Sequence, residues 1–131
     1  MTGISPHVGH ERDMPEETWE GIVTWRTLVS ADRTPSAGLT VGVAEIAPGA
    51  SDDGARHFHA DHEVYYVVAG TGVVHLDGQE HPVEAGSVVF IPGGTPHFAR
   101  NTGDETLRLL YTFPTDRYDD VAYVFDEDPP R

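Results

Sequence analysis

The chain has no cysteine and no lysine among its 131 residues. The first absence rules out disulfides, thiolate nucleophiles and zinc-finger sites. The second rules out side-chain Schiff bases, because all eight basic residues are arginines and none offers an amine to a carbonyl. Long apolar runs are missing too. No stretch is long enough to span a bilayer, and the N-terminus lacks the basic-then-apolar pattern of a secretion signal, so a cytoplasmic location is expected. Positive charge is scarce, with 22 acidic residues against 8 basic ones and a net charge of -14. Nucleic acids and anionic membranes attract cationic surfaces, so neither is expected as a partner. No segment carries a convincing 3.6-residue apolar period, and there is no internal repeat.

What the chain does have is short β-forming runs between Gly- and Pro-bearing turns. They cover 19–29, 39–47, 63–69, 73–77, 79–83, 87–91, 106–113 and 121–125, and Asp77-Gly78 is a hairpin signal between two of them. Loops are expected over 30–38 and 48–56. The pattern predicts an all-β domain, a small antiparallel β-barrel or jelly roll. This length suits one hydrophobic core. Residues 1–18 read as a loose arm able to pack on a neighbouring subunit, 19–126 as the single domain and 127–131 as an acidic tail. Such domains often pair through an edge strand or an exchanged arm, so a homodimer is expected. Acid gathered near both ends, from Glu11 to Glu20 and from Asp116 to Asp128, reads as solvated surface.

The organising stretch is 57–70, HFHADHEVYYVVAG. Side chains at i and i+2 of an extended chain leave on one face, so His57 and His59 can aim at one point. Glu63 can join them after a short bend. Imidazoles and a carboxylate converging on one point suit one divalent transition metal: Fe, Mn, Ni, Co or Zn. His62 is the rival donor. Adjacent strand residues face opposite ways, so Glu63 and His62 are not expected to bind together. A fourth donor is available in 86–101, GSVVFIPGGTPHFARN, where His97 follows a Pro/Gly turn. His75 and His81 flank the hairpin and are expected to face solvent, and His7 and His10 lie in the arm. Tyr65, two residues after Glu63, points into the same interior. It reads equally as a base, its phenol made more acidic by a nearby cation, or as a core aromatic. Tyr66 points the other way.

The two stretches match, in order, the two motifs that define cupins. The first runs HxH, three residues, E, six residues, G, through His57, His59, Glu63 and Gly70. The second runs G, five residues, PxG, two residues, H, three residues, N, through Gly86, Pro92, Gly94, His97 and Asn101. Beyond them, GVAEIAPG over 42–49 and FPTDRYDDVAY over 113–123 resemble the small cupin lyases that cleave dimethylsulfoniopropionate (DMSP) to dimethyl sulfide and acrylate. The resemblance implies His57, His59, Glu63 and His97 as metal ligands, Tyr65 as the catalytic base and Tyr123 as a substrate-side residue. Trp25 and Tyr111 are candidate aromatic partners for the sulfonium cation. The implied partner is a small carboxylate or zwitterion. The chain departs from that group at His62, where an apolar or acidic residue is expected, and in the acidic loop SDDGAR over 51–56. Other readings of the same donor set are an Fe(II) dioxygenase, an isomerase, a cyclase, or a binding module without catalysis.

Overall fold

The computed structural model describes residues 3–50 and 56–125. These contain eleven strands, β1 (Glu17–Trp19), β2 (Val23–Val29), β3 (Thr40–Ile46), β4 (His57–Phe58), β5 (Glu63–Ala69), β6 (Thr71–Leu76), β7 (Gln79–Glu84), β8 (Val88–Ile91), β9 (His97–Asn101), β10 (Leu107–Phe113) and β11 (Val124–Phe125). The helical turns among them are 3-10 turns at Glu11–Asp13 and Tyr118–Asp120. One sheet has the order β1-β2-β3-β10-β5-β8 and the other β11-β4-β9-β6-β7. The strand pairs in both are antiparallel. The sheets do not close into a barrel; they form a two-layered jelly roll.

Alternation sets which face each strand buries. In β5, Glu63, Tyr65 and Val67 are buried, while Tyr66 and Val68 stay exposed. In β10, Leu107, Leu109, Tyr111 and Phe113 point inward. The core draws Ile46, Val67 and Leu109 from the larger sheet and Val74, Val83 and Ala99 from the smaller. Burying a side chain of this size stabilises by about 1.5–3 kcal/mol. The Asp77-Gly78 hairpin forms as its sequence dictates, with positive φ at both residues (52° and 86°) and Leu76 paired to Gln79.

Two expected strands are corrected. The run over 19–29 is not continuous. The chain reverses at Glu20 and Gly21, both in the left-handed region (φ 53° and 72°), so that Trp19 pairs with Val23. β-Formers flank the turn on both sides, which hides it from a reading by alternation. The last run, over 121–125, shortens to β11, because Tyr118–Asp120 takes a 3-10 turn and delivers Val121 into the core. The arm lies along its own chain: Ser5 N–H donates to the Pro35 carbonyl at 3.0 Å, and the Arg26 guanidinium donates to the Met14 carbonyl. Arg108 joins Glu11 to Glu45, the latter at 2.6 Å. The tail over 127–131, and the SDDGAR loop apart from Arg56, lie outside the described residues.

Candidate metal centre and its cavity

The fold brings four donors together from both layers. His57 and His97 face each other in the β4–β9 register, His59 lies in the link from β4 to β5, and Glu63 opens β5 in the opposite sheet. The ligating atoms of His57, His59 and His97 lie within 4.8 Å of one another. Glu63 Oε1 stands 3.2 Å from both His59 Nε2 and His97 Nε2. Exposure is 8 % for His57, 1 % for His59, 4 % for Glu63 and 0 % for His97. Polar groups this deeply buried are costly unless something satisfies them.

Hydrogen bonds at the far side of two rings orient them. His59 Nδ1 is 2.8 Å from the Asp61 carbonyl, and His97 Nδ1 is 2.8 Å from the Thr95 carbonyl. A carbonyl only accepts, so each Nδ1 carries the hydrogen and each neutral ring turns an Nε2 lone pair inward. That is how ligating histidines are usually held. His97 Nε2 is fully buried, and its approach to Glu63 lacks hydrogen-bonding alignment, so it has no hydrogen-bond partner among the described residues. Two donors each about 2.1 Å from one ion stand about 3.0–3.4 Å apart at octahedral or tetrahedral angles. The 3.2 Å spacings meet that condition. The donor set therefore fits a divalent ion. Without one, burial alone would push the Glu63 carboxyl up, but contacts with His59 and His97 outweigh it and hold it below the ordinary range. Burial pulls His59 down, and the Glu63 carboxylate more than reverses this.

The turn that delivers His97 is locked to the link that carries His59. Gly94 N–H donates to the His59 carbonyl at 2.7 Å, and Gly93 N–H donates to His62 Nδ1 at 2.9 Å. Gly93 lies so close to the Ala60 carbonyl that a Cβ there would stand 2.0 Å from the oxygen. His62 is exposed and points away from the donors, as its place beside Glu63 requires. His75 departs from expectation. It is half-buried and stacks on Phe98 at 4.0 Å, with its Nε2 3.2 Å from Glu80, because Phe98 on β9 and Glu80 on β7 are its direct cross-strand partners. His81, His7 and His10 are exposed.

Beside the donors lies a cavity of about 320 Å³, a size typical of small-molecule sites. His57 and Glu63 reach it, and aromatic rings make most of the remaining wall: Tyr65, Trp25, Tyr111 and Tyr123, with Trp19, Tyr118 and Phe125. No arginine among the described residues lines it. Tyr65 points inward, 8 % exposed, with its ring 6.3 Å from that of His97. Tyr111 lies opposite Tyr65 in one direction and Gly42 in the other. A Cβ at Gly42 would stand 2.2 Å from the Tyr111 ring, so glycine there lets the ring pass over to Thr27, whose hydroxyl lies 2.9 Å from the phenol. The Tyr123 ring sits 4.6 Å from His57 and 5.3 Å from His59, and Tyr118 donates to its hydroxyl at 3.2 Å. Burial pushes the phenols of Tyr111, Tyr118 and Tyr123 above their ordinary value, so all three stay neutral near neutral pH. Trp19, Tyr118 and Phe125 escape the sequence reading. Only Tyr118 had a signal, its place inside the FPTDRYDDVAY phrase.

Residues 42–113, more than half of the chain, match the family described as Cupin domain. The dimethylsulfoniopropionate lyase DddW of Ruegeria pomeroyi is 33% identical over 105 residues, 80% of this chain and 67% of that protein. The oxalate-binding protein of Thermotoga maritima is 31% identical over 110 residues, 84% of this chain and 90% of that protein. Among solved structures, the polyketide cyclase RemF from Streptomyces resistomycificus superposes with a TM-score of 0.74 at 27% identity, over 95% of this chain and 90% of that one. The two-layered jelly roll, the buried histidine cluster between its sheets and the match over 42–113 lead to one conclusion: the chain belongs to the cupin domain family.

Proposed function

We propose that the protein is a metal-dependent carbon–sulfur lyase that cleaves DMSP to dimethyl sulfide and acrylate. The observation that carries this reading is the inward phenol of Tyr65 on the cavity wall beside Glu63 and His97, in a chain 33% identical to a DMSP lyase over 80% of its length. His57, His59, Glu63 and His97 would hold the ion, which is Fe, Mn, Ni, Co or Zn. When bound, it supplies Lewis-acid polarisation of the substrate carboxylate and makes the neighbouring C–H more acidic.

Tyr65 as phenolate takes the Cα proton onto its oxygen. The electron pair left behind forms the Cα=Cβ double bond, and the Cβ–S pair leaves with sulfur as dimethyl sulfide. The faces of Trp25, Tyr111 and Tyr123 hold the sulfonium by cation–π attraction, worth about 0.5–2 kcal/mol each. With its many aromatic rings and no arginine among the described residues of the wall, the cavity favours a positive group away from the metal. The wider reading keeps a homodimer as the assembly, the cytoplasm as the location and 19–126 as the single domain, between an arm over 1–18 and a tail over 127–131. No helix among the described residues is long and apolar enough to cross a membrane.

A second reading is a cyclase acting on a larger ring-forming substrate. It is supported by the superposition on RemF. At about 30 Å³ per water, the cavity holds about ten waters' worth of liquid, ample room for a small acid. The test is headspace dimethyl sulfide from metal-loaded protein with DMSP, for wild type, Tyr65→Phe and His97→Ala. Gas from wild type and none from His97→Ala supports the lyase. No gas from wild type removes it, and equal gas from Tyr65→Phe removes Tyr65 as the base.

A further inference from the structure

Glu17 stands in the acidic run from Glu11 to Glu20, but the register of its strand turns it to the cavity side. Directly opposed residues of an antiparallel pair project from the same face. Glu17 is opposed to Trp25 and Trp19 to Val23, and Trp19, Trp25 and Val23 all line the cavity. The Glu17 carboxylate therefore leaves β1 on the face that carries both tryptophans. Its Oε2 accepts from the Arg33 guanidinium at 3.2 Å, and its Oε1 has no partner among the described residues. That ion pair is open to water, with side chains 27 % (Arg33) and 36 % (Glu17) exposed, so it is weak and engages one oxygen only. Burial pushes the phenols of Tyr111 and Tyr118 up, and the charges of Glu17 and Glu63 push them further. Both carboxylates thus act on the aromatic wall. Glu63 belongs to the donor cluster on β5. Glu17 sits on β1, with β2, β3 and β10 between them in the sheet.

From these observations we infer that Glu17 is a specificity-determining residue, whose carboxylate supplies the counter-charge for the cationic end of the substrate and so selects onium zwitterions, sulfonium or quaternary ammonium, over plain carboxylates. This rests on the reading above of a small zwitterion held by its carboxylate at the metal, and adds the group that senses its positive end. Aromatic faces attract a cation, but they also accept a neutral alkyl group of the same shape. They discriminate weakly between the two. A carboxylate attracts only the charged one, and an apolar wall screens that attraction less than water does. A bound divalent ion would offset the charge of Glu63, which leaves Glu17 as the negative group facing the rings.

The test is binding to zinc-loaded protein, read by tryptophan fluorescence, since both tryptophans of the chain line the cavity. The probes are the trimethylammonium analogue of DMSP, whose amine leaves poorly, and its tert-butyl isostere, which keeps the carboxylate and the shape but not the positive charge. Wild type should prefer the ammonium probe. Glu17→Gln should weaken that probe about fivefold and leave the isostere unchanged. Arg33→Gln frees the carboxylate and should tighten the ammonium probe. If Glu17 served only to pair Arg33, both variants would weaken binding alike, and that result would overturn the assignment. So would equal loss of both probes in Glu17→Gln, or a wild type that does not distinguish them. No dimethyl sulfide from a wild type that still prefers the ammonium probe would remove the lyase and leave Glu17 in its role. Gas from a wild type without that preference would do the reverse.

Discussion

At the candidate metal end of the cavity, three of the four candidate donors come from seven consecutive residues, 57–63, and the fourth is His97, reached through one Pro/Gly turn. At the aromatic end, the rings come from β1, β2, β10, the turn at Tyr118–Asp120 and the segment ending in β11. The metal end has two of its rings oriented by short-range bonds, His59 to Asp61 and His97 to Thr95, and its two segments are joined by one long-range bond, Gly94 to His59. The aromatic end is held by contacts between residues far apart in sequence, such as Thr27 with Tyr111, 84 positions away. The first is rigid chemistry encoded in spacing. The second is a shape that exists only once both sheets have formed. Coordination should therefore respond to single substitutions almost completely, and the aromatic wall in fractions.

The largest effect is expected for His97→Ala. This side chain is wholly buried, and its Nε2 has no hydrogen-bond partner among the described residues. Loss of a partner that merely supports a ligand costs about 10–100-fold in metal affinity, and loss of the donor itself should cost more. Isothermal titration with Co(II) or Mn(II) reads this directly. Affinity within a few-fold of wild type would mean that the ion is held elsewhere.

Tyr65→Phe comes next and separates the two ends. Removing a general base costs typically 10²–10⁴-fold in rate. Metal affinity and melting temperature should stay near wild type, since Tyr65 lines the wall and is not among the clustered donors. A variant that loses metal along with activity would assign Tyr65 to the coordination sphere and blur the division between the ends.

Asn101 closes the second motif and illustrates what spacing conveys. It stands four residues after His97 and is not one of the clustered donors; its amide donates to the carbonyls of Ile46 (2.9 Å) and Glu105 (2.8 Å) and accepts from Gly103 N–H (2.8 Å). The motif thus records a staple between the end of β3 and the loop after β9 as well as a candidate metal ligand. Asn101→Ala removes three bonds, one buried and two partly buried, at about 0.5–1.5 kcal/mol each, so a loss of about 2–4 kcal/mol is expected by denaturant unfolding, with metal affinity retained in the folded fraction. Unchanged stability would mean that the staple adds nothing to the sheet pairing around it.

The same logic explains what was legible and what was not. The ligand spacing, the outward turn of His62 and Tyr66, and the Asp77-Gly78 hairpin all follow from two-residue alternation or from φ preferences, which act within a few residues. The reversal at Glu20-Gly21 escaped because a single glycine between two β-forming runs is a weak signal. Trp19, Tyr118 and Phe125 escaped for a different reason. A ring reaches the cavity through the pairing of β1 with β2 or of β11 with β4, and no local pattern carries that information.

Tyr118→Phe should give the smallest effect, and it tests whether the aromatic end is more than packing. The substitution keeps the ring that meets Trp25, Tyr111 and Phe113 at 6.0–6.3 Å, and removes only the hydroxyl that donates to Tyr123 at 3.2 Å. Tyr123 in turn lies 4.6 Å from the His57 ring. One neutral hydrogen bond is worth about 1 kcal/mol, or about fivefold. If that bond orients Tyr123 against the site, kcat/KM for DMSP cleavage should fall about fivefold, and the visible spectrum of the cobalt-loaded protein should shift as the ring beside His57 moves. If the wall is packing alone, both should match wild type, because the rings that position Tyr123 are untouched.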